Sequence, residues 1–548
     1  MNYVGTARPI HDAKGKATGY TKYAGDLSLP NMAYLCMLHS KIPHGYVKAV
    51  HAEKALALPG VYGVYHCLNT SERKYNRYRS SFDQAYLANE ERAFNQYVRF
   101  VGDKIGAVAA CDQETAEKAA RLVEVEYEEL PFSIGFDDTF AGKNCLDGET
   151  PVRDEYTLEV GKKQESTEGL IEVCSTMELP RLHHATMETH ACIADYDPYI
   201  DMLTVYCPNQ AVNGIRTVLA DFLEMPESHV RVVKATMGGS FGAKQEWFLE
   251  PVTALVAKKL CRPVKLVYSR GEAMTDTIVR GAMRMSTRGY YTPDGEMKKI
   301  YCDVTLDAGA YIGNAGDYVR ALAGKPTRCY RIPYMHYHGQ VISSNSPVSG
   351  AFRSWSAAEE ALMMERQLDA AAEKLGMDRL AIRLKNVARS GEEDKKLHLS
   401  LEDIRIGDAI TLGSEKFGWD KLKAEDAAFN ASQQRYRRGV GIGIGGHGNT
   451  YFPRFNDYGE GSISLNADGS MQANFTLHDH GCGTVTAMRM IAAEVLKVPE
   501  DKIYMTEGDT AVTPIDYGCF ASRTTYVVGR AVQDAANALR KKMLHAAS

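Results

Sequence analysis

Met237-Gly238-Gly239-Ser240-Phe241-Gly242-Ala243-Lys244-Gln245 places three glycines within five residues. Glycine carries no Cβ, so backbone N–H groups in such a loop can approach an anion or an oxo ligand. The spacing is not GxxxxGK[ST], which excludes a nucleotide-phosphate loop of that kind. Glu246 to Leu260 reads as a helix, and a helix N-terminus directly after the loop would favour negative charge. A tight structural turn explains the same glycines, and on spacing alone the two readings stay open. Gly350-Ala351-Phe352-Arg353-Ser354-Trp355 precedes a second long helical stretch, Ala357 to Leu375. The dipole at a helix start favours an acid, so Arg353 there points to an anionic partner, with Trp355 as a pocket wall. A surface arginine beside a packed tryptophan is the plainer reading.

Two further patterns carry less. His183, His184, Glu188 and His190 contain metal-ligating types, and on a helix His184 and Glu188 would share a face. There is no HExxH and no second carboxylate at a matching spacing, so a structural polar cluster is favoured. Gly441-Ile442-Gly443-Ile444-Gly445-Gly446 fits GxGxxG, but His447-Gly448-Asn449-Thr450-Tyr451-Phe452-Pro453 does not start a helix. A glycine-rich strand packed closely on a neighbour accounts for it better than a dinucleotide fold. The 12 cysteines are scattered without a CxxC pair, so clusters or structural zinc are not expected on this chain.

The elements that must hold these loops follow from patterning. With 548 residues the chain predicts roughly three or four domains. Ala33 to Leu38 and Ile105 to Ala110 read as strands, Glu114 to Leu122 as a helix capped by Asp112, and Val123 to Tyr127 as a half-buried strand. Residues 132–180 are polar and read as a linker. From 181 to 390, strands such as Leu203 to Cys207, Val230 to Val233 and Val264 to Tyr268 alternate with helices. Residues 391–436 form a charged connecting segment, and a last unit covers 437–548. The net charge of −5 comes without a Lys/Arg block, so no nucleic-acid surface is expected. No apolar run is long enough for a membrane span, and no secretory leader heads the chain, so a cytoplasmic protein is expected.

Together the motifs resemble the molybdenum-binding subunit of the xanthine dehydrogenase/aldehyde oxidase family. Asp12 to Gly19 is similar to that family's opening DAxxKVTG pattern, and Ser40 to Gly45, Ala57 to Val61, Val98 to Gly102 and Glu114 to Pro131 also match. The implied fold is α+β: an α/β hammerhead domain (1–131), then molybdopterin-binding domains at 181–390 and 437–548. Pro208-Asn209-Gln210 resembles STQ, Gly238 to Lys244 resembles GGGFGGK, Gly350 to Arg353 resembles GAFRG, and Phe520-Ala521-Ser522 resembles a later loop. The resemblance implies that Gln210, Phe241, Arg353 and Ala521 contact the Mo-molybdopterin centre, with Gly242 and Ser522 beside them. It implies substrate contacts at Gln245, Trp355 and Tyr451. It also implies a cofactor in which a cytosine dinucleotide form occurs, and 2Fe-2S and FAD carried by separate iron–sulfur and FAD-binding subunits.

The chain departs from the family in three places. GFGxPQ after the arginine reads Ser354-Trp355-Ser356-Ala357-Ala358-Glu359, and GQG reads Gly481-Cys482-Gly483. The family's general-base Glu lies in a glycine-rich loop near the C-terminus, while the Gly-Glu pairs here, such as Gly459-Glu460, lie elsewhere. The catalytic base is therefore unassigned, the last domain is expected to be incomplete, and the chain alone is expected to be inactive. Glu359 and Glu460 are the substitutes to inspect. The implied reaction is oxidative hydroxylation of purines or related heteroaromatics with water as oxygen source. An aldehyde or nicotinate-like substrate, or a non-catalytic cofactor-binding fragment, are the alternatives. Ser354 stands where a carbon monoxide dehydrogenase has Cys, which disfavours that subfamily.

Overall fold

The computed structural model describes residues 3–78, 89–142, 146, 150–163, 166–432, 435–448 and 456–548. Lys104–Ala110 is buried at every position, as expected of a continuous apolar run, and sits inside a seven-stranded sheet. The order across that sheet is Val230–Lys234, Met202–Cys207, Ala191–Asp197, Val264–Val267, Ala33–His39, Lys104–Ala110 and Val61–His66. Ala33–His39 pairs parallel with Val264–Val267 on one side and antiparallel with Lys104–Ala110 on the other. Backbone hydrogen bonding thus runs without a break from the N-terminal segment into the middle of the chain. Asp112 caps Gln113–Ala120 by accepting from Thr115 N at 2.7 Å. Val212–Leu223 and Glu250–Leu260 pack on the sheet and share its core with Trp247 and Phe248.

A second, five-stranded sheet runs Ile171–Leu179, Ala282–Tyr291, Met297–Gly309, Tyr334–Ser343 and Val152–Gly161. Its two edge strands come from the segment read as a polar linker, and this corrects that reading. The physical reason is the edge position. Tyr156, Leu158 and Val160 face the core, as do Ile171, Val173, Met177 and Leu179. The alternate residues are charged or polar and face water, which makes the segment look loop-like in composition. Ala315–Ala323 and Ala357–Leu375 complete this core, and the second helix has the expected ends.

The third unit pairs Gly461–Leu465, Met471–Phe475 and Ile503–Thr506 under Thr484–Leu496 and Thr524–Ala547. Tyr3 belongs to its core, and His11 N donates to Thr486 Oγ1 at 2.8 Å, so the chain's start is fastened to its last unit. The glycine-rich run 441–446 is not a strand. It is irregular, with Ile442 and Ile444 packed on the second core. A Cβ at Gly446 would lie 2.7 Å from Cys329 Sγ, so the close packing expected there is present without the ladder.

Candidate functional site

Four loops distant in sequence are tied to one another. Arg353 N donates to Phe241 O at 2.8 Å. Gly242 lies so close to the 350–353 loop that a Cβ would sit 2.6 Å from Ala351 O, and its φ of +105° also requires glycine. Gln210 N donates to Lys244 O at 2.8 Å, and its amide oxygen accepts from Ser240 Oγ. Gln210 Nε2 donates to Cys519 O at 2.5 Å, and Cys519 N donates back to Gln210 O at 2.9 Å. The amide of Gln210 is therefore engaged at both ends, as a strut between loops.

What the loops expose is selective. Phe241 is 50% exposed at a φ of +54°, a costly setting for an aromatic residue in an otherwise buried loop. The Arg353 side chain is exposed and, among the described residues, has no hydrogen-bond or ion-pair partner. Ala521 and Ser522 are consecutive left-handed residues, the first half-buried and the second exposed. An uncompensated guanidinium beside an exposed aromatic face and a glycine cradle suits an anionic, planar group.

The expected helix behind Lys244 starts later, at Glu250, with Pro251 in its first turn. Residues 241–249 are turns, so no helix N-terminus reinforces the Gly238–Lys244 loop directly. The histidine cluster lies in irregular chain, so His184 and Glu188 share no helix face. Its members brace the same loops. His184 Nε2 lies 2.8 Å from Ala351 O and its ring packs against Phe352 with centroids 4.3 Å apart. His190 Nε2 lies 3.0 Å from Ala243 O. Glu188 accepts from Gly238 N at 2.7 Å and from Lys244 Nζ at 2.5 Å. Burial lowers His184 to about 4 and His190 to about 3, so both rings are neutral and free to donate to those carbonyls.

Arg280 carries no sequence motif, yet it underpins the arginine loop. Its guanidinium forms an ion pair with Glu359, donates to Arg353 O at 2.7 Å and lies 4.2 Å above the Phe352 ring. Glu359 is thereby committed to Arg280, and Glu460 is exposed just before Gly461–Leu465. Ser354, Trp355 and Ser356, which stand where the family pattern has GFG, all have positive φ. Such residues cost about 1–3 kcal/mol each, and Lys325 Nζ helps hold the run by donating to Trp355 O at 2.5 Å.

Trp355 packs against Tyr318 at 5.3 Å and Tyr78 at 6.1 Å, between the first and second cores. Gln245 is half-buried directly after Lys244. Tyr451 lies outside the described residues. Cys482 occupies a loop anchored by Asp479, which accepts from Gly481 N at 2.8 Å and Val485 N at 3.2 Å. A hydrogen bond with Cys519, and then burial, push its thiol up. The substituted 481–483 loop therefore touches the 518–522 loop, a contact that spacing could not reveal.

A molybdopterin cofactor-binding domain matches residues 149–387 and a second one residues 412–548. The aldehyde oxidase and xanthine dehydrogenase a/b hammerhead domain matches residues 18–131. The xanthine dehydrogenase molybdenum-binding subunit of Escherichia coli O157:H7 is 30% identical over 98% of this chain and 72% of its own length. A probable xanthine dehydrogenase subunit of Bacillus subtilis (strain 168) is 32% identical over 97% of this chain and 70% of its own. Quinoline 2-oxidoreductase from Pseudomonas putida 86 shares the fold, with a TM-score of 0.89 over 99% of this chain and 71% of that one at 23% identity. A hammerhead fold joined to two molybdopterin-binding domains defines a cofactor-carrying chain. It belongs to the xanthine dehydrogenase/aldehyde oxidase family of molybdenum hydroxylases, as the molybdenum-binding subunit.

Proposed function

We propose that this chain supports oxidative hydroxylation of purines or related heteroaromatics, with water as oxygen source. When bound, the molybdenum–pterin group supplies the two-electron oxidation, and the protein supplies binding, orientation and charge. The observation that carries the reading is the junction of four loops around an exposed Phe241 and an Arg353 side chain that has no partner among the described residues. Gln210, Phe241, Gly242, Arg353, Ala521 and Ser522 hold the group, with Arg353 providing positive charge and Gly242 allowing close approach. Gln245 reads the substrate's polar edge, because an amide both donates and accepts. Trp355, packed against Tyr318, walls the pocket, which favours a planar ring over a simple aldehyde.

Electrons then leave through an iron–sulfur subunit and an FAD-binding subunit. Supporting this, buried thiols such as Cys192, Cys207 and Cys302 lie on separate strands as core residues of this chain. A cytosine dinucleotide on the pterin and a cytoplasmic setting belong to the same proposal. No helix among the described residues is long and apolar enough to cross a membrane. The experiment is a dye-linked assay of the assembled enzyme with xanthine, hypoxanthine, nicotinate and a simple aldehyde, alongside identification of the nucleotide released from the pterin. Preference for the aldehyde would overturn the heteroaromatic reading.

A further inference from the structure

We infer that Glu246 is a positioning residue for the cofactor, locking the loop that carries Arg353 onto the loop that carries Gln210. It is 1% exposed and lies immediately after Gln245. Its backbone carbonyl accepts from Asn209 Nδ2 at 3.1 Å, and Asn209 Oδ1 in turn accepts from Ala211 N at 2.8 Å, so Gln210 is held from both flanks. Its carboxyl accepts from Asn314 Nδ2 at 3.4 Å. Gly350 passes directly over it, since a Cβ there would be 2.5 Å from Glu246 Oε1. One buried residue thus touches the 208–210 and 350–353 loops from the end of the Gly238–Gln245 loop.

The charged groups that face it are Arg77 and Glu91. Arg77 spends its Nε and Nη2 on Glu91, while its Nη1 and Glu246 Oε2 are both buried without a hydrogen-bond partner among the described residues. Arg77 acts on Glu246 through its field, with no hydrogen bond between them. Burial raises the Glu246 acid to about 8 despite that field, so near neutral pH the group serves mainly as a neutral hydrogen-bond acceptor. An amide of the same shape can do this. Glu246→Gln keeps an acceptor oxygen for Asn314 and the group that Gly350 packs on, whereas Glu246→Ala removes both.

This inference rests on the cofactor site proposed above, and the test separates the two. Wild type, Glu246→Gln and Glu246→Ala full-length chains are produced in a host that makes the cofactor. Molybdenum per chain is measured before and after prolonged dialysis, with kcat and KM recorded in the assembled enzyme. The expected result is that Glu246→Ala retains metal about 10-fold less well, as for other residues that orient a metal site from behind. Glu246→Gln stays close to wild type in metal content and KM. Metal retention by Glu246→Ala equal to wild type, or equal loss in both variants, would overturn the inference. Absence of metal from wild type would overturn the cofactor site instead. If Glu246→Ala melts far below wild type, Gly350→Ala replaces it, because its methyl presses on Oε1 from the loop side. Unchanged metal retention in that variant would likewise overturn the inference.

Discussion

The backbone of Arg353 is hydrogen-bonded to the carbonyl of Phe241 at 2.8 Å, which joins two loops from separate parts of the chain into one surface. The contact fixes the backbone while leaving both side chains exposed. Arg353→Ala is therefore expected to preserve the fold and to weaken cofactor retention. A charge-assisted hydrogen bond is worth about 1.5–3 kcal/mol, or roughly 10-fold or more in affinity. Metal content and melting temperature together check this. Unchanged metal content with unchanged turnover removes Arg353 from the site.

Gly242→Ala tests the close approach itself. The added methyl meets Ala351 O at 2.6 Å in a left-handed backbone, so the two loops must separate. A loss of about 1–3 kcal/mol in stability is expected, with metal loss alongside. Gly481→Ala provides the contrast, because among the described residues nothing lies within 4 Å of its Cβ and the φ of +103° opposes it. Equal damage from both would show that strain, and not the loop contact, governs the result.

Gln245→Glu exchanges a donor–acceptor amide for an acceptor-only carboxylate. Relative rates among xanthine and hypoxanthine are expected to shift severalfold while molybdenum content stays put. An unaltered substrate profile would mean that Gln245 does not read the substrate.

His184 and His190 predict an acid-sensitive site. Their folded values, about 4 and about 3, lie below the usual 6.5. The unfolded chain therefore binds these protons first as pH falls. The stability that the neutral rings contribute is complete above about pH 6.5 and is lost as pH drops through the window down to 4 and 3. The loss approaches 1.4 kcal/mol per pH unit for each ring. Melting curves from pH 7 to pH 4 check this, and His184→Gln should flatten the slope. A slope identical to wild type would place the acid sensitivity elsewhere.

Much of this arrangement was legible from residue types. Strands such as Ala33–His39 and the helix Ala357–Leu375 carry clear apolar patterns, and the glycines at 238, 239 and 242 announce a close approach. The edge strands Val152–Gly161 and Ile171–Leu179 were hidden because half of each faces water. Arg280 was hidden because its partners, Glu359 and the Arg353 carbonyl, are brought to it only by tertiary structure. The histidines at 184 and 190 stood out by type, but which carbonyls they brace depends on chain crossings that local pattern does not encode. Glu246 drew attention only as the start of a helix that in fact begins at Glu250.

The central claim is that these four loops hold a molybdenum–pterin group. The most direct measurement is metal and pterin content of the purified chain from a cofactor-producing host, for wild type and for Gln210→Ala. Gln210→Ala removes the strut between Ser240 and Cys519. The account predicts molybdenum and pterin in equal amounts on wild type, and a drop in both together in the variant. Wild-type chain that carries neither, or a variant that retains both in full, would contradict it.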